Sequence, residues 1–206
     1  MNKNRLEALS DGVFSIIMTI LVFEISLPTI RVIPTNSQIL GDLQTLLPLF
    51  LSYFISFAVL AMFWMSHNFF YSSFTREINR TLVLLNFVYL SFLGLIPFSA
   101  RLMGEYDTLN VAVAVYGLNV LIIGLLATFV LHYAIYSDEI DISHVAPRLL
   151  NQARVRSLLT PLSALLGIVA SFANVHVALF FFAFPIIFNL LPGTLDFVER
   201  ALGLEF

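Results

Sequence analysis

Apolar residues gather into long runs separated by short polar breaks. Six runs are long enough to be bilayer-crossing helices: about 12–30, 45–70, 82–103, 110–134, 157–173 and 175–192. A hydrocarbon core about 30 Å thick needs roughly 20 apolar residues in helix, fewer where helices are buried or the membrane thins. The second run exceeds that length, which predicts a helix that tilts or extends past the bilayer. The last two runs are short and meet at Phe172-Ala173-Asn174, which reads as a tight helical hairpin; a single re-entrant element is the alternative. Pro34, Asn36, Ser37 and Gly41 mark one break, and Gly104, Glu105 and Asp107 another, while residues 137–156 form the one long polar connection. Nothing in the second half echoes Leu9-Ser10-Asp11-Gly12, so the chain 1–206 is expected to be one all-α membrane domain of six spans.

Composition sharpens this picture. Of 206 residues, 59% are hydrophobic and only 11% charged, with a mean hydropathy of +0.93. A soluble domain carries roughly 25% charged residues, because its surface must meet water. Lipid is therefore the expected solvent. There are no cysteines, which excludes disulfides, thiolate metal sites and a thiol nucleophile. Lys3 and Arg5 precede an apolar run, but Glu7 and Asp11 spoil a positive leader and no small-residue cleavage site follows, so no cleaved signal is expected.

The basic residues set an orientation. With the N-terminus inside, the inner segments hold Lys3, Arg5, Arg76, Arg80, Arg148, Arg154, Arg156 and Arg200, and the outer ones only Arg31 and Arg101. Both termini are expected to be cytoplasmic.

Polar groups within the spans are costly, about 2.5–3.5 kcal/mol each for a charge at the centre, so their positions carry information. The first helix holds Asp11 near its inner end and Glu24 toward its outer end; the second holds Trp64, His67 and Asn68 near its inner end. Because the two helices run in opposite directions, Arg5, Ser10, Asp11, His67 and Asn68 fall at similar depth. They are expected to form a hydrogen-bonded cluster that pins the two helices together, in preference to coordinating an ion directly. At about 100° per residue, Ile16, Ile20, Phe23 and Leu27 share one stripe with Thr19 on its flank, and Asp11 lies about 140° from Ile16. Spacing alone reads such a stripe as lipid-facing or helix-packing. Glu24 lies about 80° from Ile16, and either lines an outer vestibule or pairs with Arg101.

Arg5-Leu6-Glu7-Ala8-Leu9-Ser10-Asp11 resembles the Arg-x-x-x-Phe-Ser-Asp signature that opens the first helix in the transmembrane protein 175 family of potassium channels. Ile16-Ile17-Met18-Thr19 and the Trp64-x-x-His67 element resemble the same family. Leu9 stands where the family has Phe, keeping an apolar role but losing ring contacts. The resemblance implies a one-repeat chain that assembles as a homotetramer in a prokaryotic plasma membrane, with potassium as the permeant ion and no cofactor. It implies a central pore lined by the first helix, a constriction at Ile16, Ile20 and Phe23, and a hydroxyl layer at Thr19 that favours potassium. The stripe then becomes the pore wall, and Arg5, Ser10, Asp11, Trp64, His67 and Asn68 support it from behind. The carbonyl filter Thr-Val-Gly-Tyr-Gly is absent, and Val115-Tyr116-Gly117 reads as helix packing.

Other classes fit less well. An intramembrane aspartyl protease needs two membrane aspartates and only Asp11 is available, no Gly-x-Ser-x-Gly accompanies His67 or His176, and four scattered histidines suggest no metal site, so no enzyme is expected. Nothing suggests a nucleic-acid partner. A secondary ion-coupled transporter is the alternative; it predicts paired repeats broken at matching places, which Pro97, Pro161 and Pro185 do not supply.

Overall fold

Asn2 starts the first helix: its side chain accepts a hydrogen bond from Asn4 N at 3.0 Å, satisfying one of the backbone donors a helix start leaves open. The computed structural model describes residues 2–26 and 35–190. Among them are eight α-helices: α1 (Lys3–Ile20), α2 (Asn36–Thr45), α3 (Leu47–Phe74), α4 (Arg80–Leu93), α5 (Ile96–Glu105), α6 (Asn110–Tyr136), α7 (Pro147–Ser171) and α8 (Val175–Leu190). A 3-10 turn, Leu21–Glu24, extends α1. Five helical stretches are long and apolar enough to cross a membrane: Lys3–Glu24, Leu47–Phe74, Arg80–Glu105, Asn110–Tyr136 and Pro147–Ser171. Val175–Asn189 is a shorter apolar helix.

Several boundaries differ from the sequence expectation, each for a local reason. The first helix begins at Lys3 rather than near residue 12, because Asn2 caps it and Leu6 is fully buried; its expected end at residue 30 lies outside the described residues. The expected loop at 31–44 contains α2, closed by a capping box in which Thr35 and Gln38 satisfy each other's backbone N–H. The second span runs to Phe74 rather than 70, since Phe70, Tyr71 and Phe74 are all buried. The third is two helices. Pro97 has no N–H for the carbonyl of Leu93, so α4 ends at Leu93 and α5 restarts at Ile96. The fourth runs on to Tyr136 rather than 134.

The largest change concerns residues 137–156, expected as a single polar connection. Pro147 at the first turn launches α7 ten residues before the apolar run, and Leu149, Leu150 and Ala153 pack against the core, with Arg148 exposed ahead of them and Arg154 and Arg156 half-buried after them. The true loop, 137–146, contributes Ile140 and Val145 to that core. Within it, Ser143 donates to Asp141 from both its backbone N–H and hydroxyl, and Arg76 lies 3.8 Å away, which together hold the Asp141 carboxyl below its usual range. Residues 172–174 turn α7 into α8, and Asn174 caps α8 by accepting from His176 N at 2.8 Å. The end of the last run, 191–192, lies outside the described residues.

The helices bury two apolar layers. One, around Leu6, Tyr71, Phe74, Leu82 and Leu131, closes the end where the chain begins. The other fills the middle and the opposite end around Phe14, Leu60, Leu93, Tyr116, Ile123 and Phe182. α6, α7 and α8 pack successively against one another. A Cβ at Gly117 would meet the Phe182 ring at 2.7 Å, and one at Gly124 would meet Pro161 at 3.0 Å, so glycine is what lets α6 approach both neighbours this closely. α1 stands at the side of the bundle, against α3 and α4.

Candidate functional site

α1 has two unlike faces. Leu6, Ser10, Phe14, Ile17 and the following Leu21 are buried against the rest of the chain. On the opposite side Ile16 is 62% exposed, Phe23 76% and Ile20 38%. Thr19 shares that exposed side, and its hydroxyl is shared between the carbonyls of Ser15 (2.9 Å) and Ile16 (2.8 Å). The donor is used internally, which leaves the hydroxyl oxygen free to accept or to coordinate from the exposed side. Leu27, at the end of the expected stripe, lies outside the described residues.

The buried face is fixed by polar contacts. Ser10 Oγ donates to the Leu6 carbonyl at 2.9 Å and accepts from Asn86 Nδ2 at 3.1 Å. Asn86 Oδ1 pairs with His67 Nε2 at 2.8 Å; an amide oxygen only accepts, so His67 carries its proton on Nε2. The imidazole sits among Phe14, Tyr71 and Tyr89, stacked over Tyr89 with ring centres 5.8 Å apart. Beside this chain, Trp64 Nε1 donates to Asp11 Oδ1 at 2.9 Å. Four polar side chains of α1 and α3 expected in one cluster are thus held by two separate links: Ser10 and His67 through Asn86, and Asp11 by Trp64.

Two expected members are elsewhere. Arg5 is exposed on the same side as Ile16; five residues place it about 140° from Ser10, so its long side chain stays hydrated instead of joining the cluster. Asn68 is exposed as well, one helical step around α3 from His67. The side chain that sequence reasoning missed is Asn86, which is 1% exposed. Its signal was present: an amide inside the apolar first half of the third run has to find partners in a span.

At the far end of α1, Glu24 lies 3.5 Å from Arg101, which also holds Glu105 at 3.1 Å. One guanidinium between two carboxylates leaves this corner net negative. Among the described residues no group of three or more His, Asp or Glu side chains is arranged to hold a metal ion.

The sequence profile of the family described as "Endosomal/lysosomal potassium channel TMEM175" matches residues 5–97, the stretch that supplies every residue of the Ser10 and Asp11 links. The fold matches the crystal structure of a lysosomal potassium-selective channel TMEM175 homolog from Chamaesiphon minutus with a TM-score of 0.78, at 25% identity, over 91% of this chain and 95% of that one. In sequence and in fold the chain is similar to the transmembrane protein 175 family. A relative from Chryseobacterium sp. (strain P1-3), named as a potassium channel, is 29% identical over 93% of this chain and 94% of its own length. The chicken relative named "Endosomal/lysosomal proton channel TMEM175" is 32% identical over 52% of this chain but only 22% of its own length. The chain therefore spans nearly the whole of the bacterial relative and about a fifth of the vertebrate one.

Proposed function

We propose that this chain is one subunit of a potassium-permeable cation channel, conducting passively through a central pore lined by α1 from each of four copies. Ile16 forms the narrowest ring, with Ile20 and Phe23 continuing the apolar wall outward and the Thr19 hydroxyls forming a layer beside it. Counting α8 as a sixth span leaves both termini on one side of the membrane, and the basic-residue asymmetry supports the cytoplasm of a prokaryotic cell as that side. The match to nearly the whole length of the Chryseobacterium relative and of the Chamaesiphon structure supports one repeat per chain.

One observation carries this reading: α1 is anchored on one face by polar links, the Ser10–Asn86 bond buried and the Trp64–Asp11 bond at its edge, while the other face presents bulky aliphatic side chains to nothing in the chain. Such a helix is held in register from behind and left free to wall a shared path. A ring of isoleucines raises a barrier by stripping water from an ion without replacing it, and the hydroxyls then supply partial replacement ligands. Hydroxyls replace a hydration shell less completely than stacked carbonyls, so potassium preference is moderate.

The test is reconstitution of the purified protein into a planar bilayer. Unitary current steps with a bi-ionic reversal potential favouring potassium over sodium are expected. Ion flux without unitary steps, coupled to a second ion, identifies a transporter instead. The vertebrate relatives named as proton channels motivate a second measurement in the same vesicles: a pH-sensitive dye reports whether protons share the path.

A further inference from the structure

A cavity of about 330 Å³ at the end of the bundle where the chain begins is lined by α3 and α7, with α4, α6 and Asn189 of α8 completing it. That volume falls within the range of small-molecule sites, roughly 300–1,000 Å³. Its wall is largely apolar and adaptable, with Met62, Met65, Phe69 and Leu131 along it and Met65 and Phe69 half exposed, while the His67–Asn86 pair lies at its inner side. Methionine and aromatic side chains accommodate flexible chains without a unique fit. Among the described lining residues no carboxylate appears, and Arg156 is the one permanently charged side chain. Its Nε is shielded from solvent and meets no hydrogen-bond acceptor.

Arg156 also occupies a defined level. It lies nine residues into α7, about 14 Å along the helix. Arg148 and Arg154 precede it, and no charged residue follows from 158 to 171. The guanidinium therefore stands where the charged first part of α7, a helix long and apolar enough overall to cross a membrane, gives way to its uncharged remainder. Basic side chains at that level between helices meet the headgroups of anionic lipids.

We infer that this cavity binds an anionic phospholipid of the surrounding leaflet, its phosphate on Arg156 and one acyl chain between α3 and α7. The phosphate supplies acceptors to a guanidinium that has one unpartnered N–H, and the acyl chain covers the apolar wall. The site is distinct from the exposed face of α1, and its occupancy is read by binding alone, without current.

Native mass spectrometry of the purified full chain in maltoside detergent measures this, with dioleoyl phosphatidylglycerol, dioleoyl phosphatidylcholine and oleate as probes. One phosphatidylglycerol per chain is expected, held at least tenfold more tightly than phosphatidylcholine. Arg156→Gln abolishes that preference and Arg156→Lys keeps most of it. Ala153→Phe, which fills the cavity and leaves the charge, weakens both lipids. A phosphatidylglycerol preference that survives both Arg156→Gln and Ala153→Phe overturns the inference. Arg156-dependent binding of oleate without phosphatidylglycerol overturns it too, and assigns the cavity to free fatty acid.

Discussion

Asn86 donates from its side-chain amide to Ser10 Oγ at 3.1 Å, tying α4 to the buried face of α1. The same amide accepts from His67 on α3, so one side chain joins three helices inside an apolar bundle. Asn86→Ala leaves both partners without their bond and is expected to cost about 1–2 kcal/mol. Mixed-micelle unfolding measures it. A double-mutant cycle with Ser10→Ala should give a coupling of about 0.6 kcal/mol and no more than about 1.7; zero coupling would mean that the contact does not hold α1.

The Trp64–Asp11 bond makes a separate claim. Trp64 is the single tryptophan, so its emission reports this contact directly. Asp11→Ala should shift that emission and reduce the assembled fraction in size-exclusion chromatography, while Asp11→Asn, which keeps an acceptor, should preserve most of both. Normal assembly of Asp11→Ala with altered ion selectivity would replace the anchoring role with direct ion binding.

Glu24 and Arg101 lie 3.5 Å apart at the far end of α1. If the contact mainly joins α1 to α5, Glu24→Gln lowers expression and leaves unitary conductance at low salt unchanged. The charge swap Glu24→Arg with Arg101→Glu then restores expression. A fall in low-salt conductance with normal expression instead assigns Glu24 to concentrating cations at the mouth.

Thr19 tests the hydroxyl layer. Thr19→Ala removes an oxygen that already spends its proton on the backbone, so the helix keeps its own bonds and folding should be little affected. Potassium preference over sodium should fall in reversal potentials, with a smaller change in conductance because the narrowest ring is untouched. Thr19→Ser, which keeps the oxygen, should retain the preference.

The two faces of α1 were legible because a 3.6-residue period sorts Ile16, Ile20 and Phe23 from Phe14, Ile17 and Leu21, whatever surrounds the helix. The cluster was only half legible. Depth matching brought α1 and α3 together, but Asn86 belongs to a third helix whose rotation nothing in the sequence sets. Arg5 is close to Ser10 along α1 but not around it, so sequence proximity alone does not bring it into the cluster. α2 was missed because Asn36, Ser37 and Gly41 are turn residues by preference, and the Thr35–Gln38 capping box overrode them. The start of α7 was hidden by its arginines, whose charge reads as loop although Leu149, Leu150 and Ala153 between them are packed.

Ile16 and Ile17 are neighbours with opposite surroundings, 62% and 4% exposed, and unitary potassium current through variants at the two positions tests the proposed pore most directly. Ile16→Asn removes the apolar ring and should raise the current and blunt discrimination among monovalent cations. Ile17→Val, which trims a side chain packed inside the chain, should cost about 0.5–1.5 kcal/mol of stability and leave permeation unchanged. An Ile16→Asn protein that assembles normally yet carries unaltered current, or an Ile17→Val protein that permeates like it, would contradict a pore lined by α1.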